Sequence, residues 1–347
     1  MNGIIIFLSL IFILWIGKTI FIPIVVAAFL WYLLNAITAY YRKALPFRTL
    51  ERHTPKFAHI GFDILSFLLS LCTLGAFIWL FITQIRPAIS GFITRMPDIQ
   101  MRLLHFQQYI AEQFGITIDA NFLPDTSHLL SSVGGSVTQF STAIGFVLVY
   151  MLFMFIEQST FGNKFRSLFP AKKESTKMRY ILNSIDTNMK RYMFVKTAMS
   201  VLTALAVYLF LSYMGLEFAG VWAFVAFIMN YIPTFGAIVT VGLPVLYSMI
   251  TTGTTNEIII ILAGLVALQI LISNMLEPKI MGKTLNLSTL AILINLVFWG
   301  MLWGPVGMFF SVPFLVAIFV ITAQFDKTRW VAILLSANGE IPAKEGD

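Results

Sequence analysis

Few side chains in this sequence are of a type, and in a place, to do chemistry, and most of those are neutral. The amides Asn35, Asn230, Gln269, Asn274 and Asn295 fall inside long apolar runs or at their breaks. A buried amide without a partner costs about 1–3 kcal/mol. Each therefore needs a neighbouring helix, a backbone group freed at a break, water or a bound solute. Hydrogen bonding between helices is the plain use; contact with a solute is the sharper one. Asn230 is best placed for the second, because it immediately precedes Tyr231-Ile232-Pro233-Thr234-Phe235-Gly236. Trp299, with Trp303 one turn later, offers a face for stacking or an anchor at a membrane interface.

The carboxylates Asp63, Glu157, Glu217, Glu257 and Glu277 lie at the ends of apolar runs, and none is central. Ion-coupled transport normally uses an ionisable group inside the bundle, so a neutral solute fits better. Glu277, at a boundary beside Pro278, is expected to pair with a basic residue. His53, His59, His105 and His128 lack ligand spacing, and Cys72 is the lone cysteine. No metal or cofactor is expected. No nucleophile–base pair, Gly-rich phosphate loop or G-x-S-x-G elbow occurs, so catalysis has no support.

The elements that must position these residues are helices in a bilayer. The chain has 347 residues, 58% hydrophobic and 11% charged, with mean hydropathy +0.85. A soluble domain is nearer 45–50% apolar and about 25% charged. Continuous apolar runs, rather than alternating ones, select helices over a barrel. The runs are 4–16, 20–41, 60–85, 132–156, 197–214, 218–250, 258–275 and 287–325. The first is short for a span and has the wrong flanks for a cleaved signal.

Two runs are too long for one span and are broken by Pro and Gly. Pro233 and Gly236 interrupt 218–250; Gly300, Pro305 and Gly307 interrupt 287–325. Proline removes a donor and clashes with the preceding turn. Glycine allows positive φ and close approach. Pro244 lies eight residues beyond Gly236, and Pro313 eight beyond Pro305. Each run is therefore read as a broken helical hairpin, with Pro278 and Gly282 ending the helix between them. Discontinuous helices commonly form transport sites.

The fold expected is an all-α polytopic membrane protein of about eight membrane segments. Residues 1–86 form N-terminal membrane helices and 87–131 an outer amphipathic segment. Residues 132–156 form a further membrane helix and 157–196 a basic cytoplasmic amphipathic segment. Residues 197–325 form a C-terminal membrane core and 326–347 a tail. The apolar periods in 96–115 and 176–196 support the amphipathic assignments. The second should lie on the anionic leaflet or dock on the bundle.

Nineteen of the 23 Lys and Arg residues fall in 42–59, 157–196, 276–286 and the tail. That bias places both termini in the cytoplasm. It also makes the net charge of +7 a topology signal rather than one for nucleic acid. The partners expected are the lipid bilayer and a small solute.

The sequence resembles the autoinducer-2 exporter family of bacterial permeases. The carrying residues run from Lys196-Thr197-Ala198 through Asn230-Tyr231-Ile232-Pro233-x-x-Gly236 to Leu276-Glu277-Pro278-Lys279-Ile280-Met281-Gly282. They continue with Leu287-Ser288-Thr289-Leu290, Phe298-Trp299-Gly300, Gly304-Pro305-Val306-Gly307-Met308 and Ser311-Val312-Pro313. The resemblance implies an inner-membrane exporter of autoinducer-2, a small neutral polyhydroxylated signal, working as a homo-oligomer, with pentamers as the family pattern. It also admits sodium/proton antiport, with Glu277 or Asp63 titrating. A non-transporting scaffold is the third reading. For export, the expected contacts are Asn230, Gln269, Asn274, Asn295 and Trp299, between the two hairpins.

Overall fold

The computed structural model describes residues 2–44, 65–73, 143–157, 172–251, 254–281 and 286–341, with isolated helical positions between 75 and 167. Loop 42–59 beyond Ala44, Asp63, residues 132–142 and Gly282 lie outside the described residues. So does most of 96–115, where the described positions Pro97, Met101, Leu104, Gln108, Ala111 and Glu112 are helical.

The described chain is all α, apart from one isolated bridge between Leu287 and Ser336. Helices Asn2–Ile16 and Lys18–Ala44 are separated by a single turn residue, Gly17. Ala143–Glu157 follows. Lys172–Tyr213 is one continuous helix of 42 residues. At 1.5 Å per residue it is about 63 Å long, twice the hydrocarbon thickness of a bilayer. Its basic first half is thus helically continuous with an apolar second half. The later part of that half packs on other helices of its unit. Tyr192 and Met193 are buried with Val312 and Val316, and Phe29 and Met189 pack against them.

The chain divides into two compact units. One contains Met1–Gly75, Ile144–Ala198 and Glu277–Asp347; the other contains Ala76–Ala143 and Met199–Leu276. Each holds one of the expected hairpins.

The first hairpin comprises Ala219–Met229, a turn, and Phe235–Thr251. Its legs face each other through Trp222 and Tyr247, with ring centroids 5.5 Å apart. The outgoing leg has 11 residues, about 16 Å, and cannot cross a core of about 30 Å alone.

The second hairpin lies within Thr289–Ala323, whose helical bonding continues with one non-helical residue, Gly304 (φ 64°, ψ −145°). A straight helix would hold residues 15 or 16 apart more than about 20 Å from each other. Instead the Asn295 amide donates to the Ser311 carbonyl at 2.5 Å. The Trp299 and Phe314 rings lie 4.2 Å apart. The chain therefore reverses at Gly304, and the segment is two antiparallel legs.

The helix between the hairpins departs from expectation. Pro278 does not end it. Thr255–Gln269 is followed by a π-helical stretch, Ile270–Leu276, and then by Glu277–Met281. Proline is tolerated in the first turn of a helix, where its missing N–H has no intrahelical partner. The π stretch resets the hydrogen-bond pattern just before Pro278, so that the proline meets a first turn rather than an interior.

Candidate functional site

The turn of the first hairpin shows how local sequence builds a polar site. The backbone tightens after Met229: Tyr231 N–H donates to Ile228 O at 3.2 Å and Ile232 N–H to Met229 O at 2.9 Å. Such three-residue bonds are how a helix end closes. The residue with positive φ is Thr234 (φ 62°), not Gly236. A β-branched residue in that region is strained. Gly236 serves by close approach alone. A Cβ there would sit 1.8 Å from the Met229 carbonyl oxygen.

The second hairpin repeats the device. A Cβ on Gly307 would sit 2.0 Å from the Trp299 carbonyl oxygen. In both cases a glycine on the return leg presses against a carbonyl of the outgoing leg. Positive φ in the second turn falls on Gly304, which sequence reasoning left out of the break residues. Gly300 borders the side chain of Met308. Pro244 and Pro313 are buried within the return legs.

The tight first turn exposes Asn230 to its own unit. Asn230 is 6% exposed. Its Nδ2 donates to Ser200 Oγ at 3.1 Å. Its Oδ1 faces Ser273 Oγ at 3.5 Å, a weak contact. Gln269 Nε2 donates to the same Ser273 Oγ at 2.9 Å. Ser273 sits in the π stretch, a feature frequent at functional sites. The result is a chain of neutral donors and acceptors, Ser200–Asn230–Ser273–Gln269, at a helix break. No charged group contributes to it. Such an array suits hydroxyl or carbonyl groups of a neutral ligand. Ser200 and Ser273 were missed from sequence, because serine in an apolar helix is ordinary by itself.

The other expected contacts have surroundings of their own. Asn274 is exposed on the π stretch. Asn295 ties the legs of the second hairpin through Ser311. Trp299 is buried, with its ring against Trp303 at 5.0 Å and Phe314 at 4.2 Å. Trp303 is also buried, and its Nε1 donates to the Leu14 carbonyl at 3.0 Å. That carbonyl is in the last turn of its helix, where acceptors lack partners. Both indoles are packed inside their own unit. Asn35 lines a cleft of about 550 Å³ with Trp31, Tyr32 and Asp186. There the Tyr32 hydroxyl donates to Asp186 Oδ1 at 2.7 Å, and Lys190 pairs with Asp186 Oδ2 at 2.6 Å.

Glu277 has the basic partner expected of it. Lys196 Nζ lies 2.6 Å from Glu277 Oε1, and the two side chains are only 9% and 14% exposed. A pair so shielded is held by its partner, since either charge alone would be costly to bury. Among the described residues no group of three or more His, Cys, Asp or Glu could hold a metal ion.

Comparison with known proteins agrees with this architecture. The AI-2E family transporter profile matches residues 4–327. The chain is 33% identical over 228 residues to the AI-2 transport protein TqsA of Escherichia coli, covering 66% of this chain and 62% of that protein. It is 29% identical over 249 residues to a Borreliella burgdorferi protein whose name gives a provisional transport role and no solute, covering 70% and 68%. The chain thus matches under two thirds of the length of the Escherichia coli relative. The family match runs through both hairpins and the polar turn between Met229 and Phe235, and the chain belongs to the AI-2E family of transporters.

Proposed function

We propose that this protein exports a small, neutral, hydroxyl-rich solute across the bacterial inner membrane, and that the solute is autoinducer-2. The observation that carries this reading is the uncharged chain Ser200–Asn230–Ser273–Gln269 at the turn of the first hairpin. The name of the Escherichia coli relative supplies the candidate solute. Asn230 presents both a donor and an acceptor, and Gln269 extends the array by one turn. Thr234 and Gly236 shape the tight turn that follows Asn230. The Lys and Arg bias supports cytoplasmic termini. The family resemblance supports a homo-oligomer.

The test is flux of labelled autoinducer-2 through proteoliposomes holding the purified protein. Asn230→Ala should lower flux by about fivefold or more at equal protein content, since a buried hydrogen-bonded group is worth about 1–3 kcal/mol. Undiminished flux by that variant would remove Asn230 from the site.

A second reading is cation/proton antiport. It is favoured by Glu277, a shielded carboxylate in the helical run Thr255–Ile280. Its signature would be proton movement driven by a sodium gradient and lost in Glu277→Gln.

A further inference from the structure

The last helix, Arg329–Leu335, is apolar on both sides. One side is packed. Ala332 is fully buried with Phe319 and Ala323, and Leu335 packs against the same cluster. The other side carries Trp330, Ile333 and Leu334, which are 62%, 47% and 68% exposed. These three recur at helical spacing and form one face. A helix apolar all round is not stable against water, and so large an exposed side chain group marks a contact surface.

The face has a neighbour that identifies its partner. Ile318, Ile321 and Phe325, at the end of the preceding leg, are also exposed, 39–41% each. Ile318 and Ile321 share one face of that leg, and Phe325 lies in the bend just beyond its end at Ala323. That leg belongs to a stretch apolar enough to cross a membrane. The short helix packs against that leg through Phe319, Ala323 and Ala332, so exposed apolar residues lie on both of two adjoining helices. Trp330 is the residue type that concentrates at the bilayer–water interface, and Lys327 and Arg329 stand beside it with stems long enough to reach the headgroups. Charge does not drive the contact, because Asp326 and Glu340 accompany the two cations.

We infer that Arg329–Leu335 lies in the membrane interface with Trp330, Ile333 and Leu334 against lipid. The consequence reaches the transport core. The residues after this helix are strapped to the segment that starts the second hairpin. Ser288 N–H donates to Leu335 O at 2.8 Å and Ala337 N–H to Asn286 O at 2.9 Å. The Asn286 amide donates to Asn338 Oδ1 at 2.6 Å and to the Glu340 carbonyl at 2.8 Å. Lipid contact by the helix thereby fixes where the second hairpin begins.

The experiment uses the full chain in liposomes, on a Cys72→Ala background, with Leu334→Cys spin-labelled. Collision rates are read with oxygen, which concentrates in lipid, and with a water-soluble nickel chelate. Labels at Ile333→Cys and at the exposed tail position Ala337→Cys give a second reading and a solvent reference. Lipid contact requires the 333 and 334 labels to favour oxygen several-fold over nickel relative to the 337 label, at low and high salt alike. Nickel access equal to that at 337 would overturn the inference. So would low access to both reagents with spin–spin broadening, which would place a second copy of the chain on this face.

Discussion

Replacing Gly236 with alanine sets two effects of known size against each other. Alanine is favoured over glycine within a helix by up to about 1 kcal/mol. Propensity alone would make the variant more stable. The structure argues the opposite. The new Cβ would stand 1.8 Å from the Met229 carbonyl oxygen, whereas ordinary contact begins at 3.4 Å. The legs must part by the difference, about 1.6 Å. Overpacking of a tight interior costs about 1–3 kcal/mol, and contact with backbone on a short turn belongs at the upper end. The net loss is about 2 kcal/mol, which for a chain of 347 residues is a fall in Tm of about 3 °C. Gly242, in the same helix, is the control. A Cβ there meets nothing within 4 Å, so Gly242→Ala should be neutral or raise Tm. The assay is thermal unfolding of both variants in one detergent, followed by tryptophan fluorescence. Equal Tm for Gly236→Ala and Gly242→Ala would refute the close-approach reasoning.

Three further outcomes follow from the same geometry. Gly304→Ala meets no neighbour but must hold φ 64°, ψ −145°, a region nearly closed to residues with a Cβ; it should cost about 1–3 kcal/mol, and a Tm equal to that of the parent protein would contradict the reversal at Gly304. Lys196→Met or Glu277→Gln alone should cost about 3–5 kcal/mol by leaving a shielded charge unpaired, and the double variant should recover most of the loss; equal and additive losses in thermal unfolding would mean that the pair is not coupled. Trp303→Phe removes the bond to the Leu14 carbonyl and should cost about 1 kcal/mol, seen as freer hydrogen exchange near Gly17; unchanged exchange there would show that the indole does not hold that helix end.

The all-helical membrane fold and both hairpins were legible because composition and long apolar runs have few alternatives in a bilayer, and because Pro and Gly clusters mark breaks. The pairing of Glu277 with a basic residue was legible too, although not that Lys196, 81 residues earlier, supplies it. What was not legible depends on backbone detail. Propensity gives positive φ to Gly236, yet Thr234 takes it, because the close approach to Met229 fixes where the turn can bend. Pro278 reads as a stop signal, yet a π stretch absorbs it. The site itself was half visible. Asn230 and Gln269 stand out as amides in apolar sequence, whereas Ser200 and Ser273 join them only through tertiary placement. Asn295 and Trp299 looked equivalent to Asn230 by type, but their polar and aromatic surfaces are used in closing the second hairpin.

The most direct test of a neutral-solute pathway at the first hairpin is autoinducer-2 flux in proteoliposomes, measured with and without imposed sodium and pH gradients. Saturable flux that needs neither gradient, and that falls in Asn230→Ala but persists in Glu277→Gln that remains folded, is the result expected. Absence of autoinducer-2 flux, with sodium-dependent proton movement in the same vesicles, would contradict it and shift the mechanism to the carboxylates.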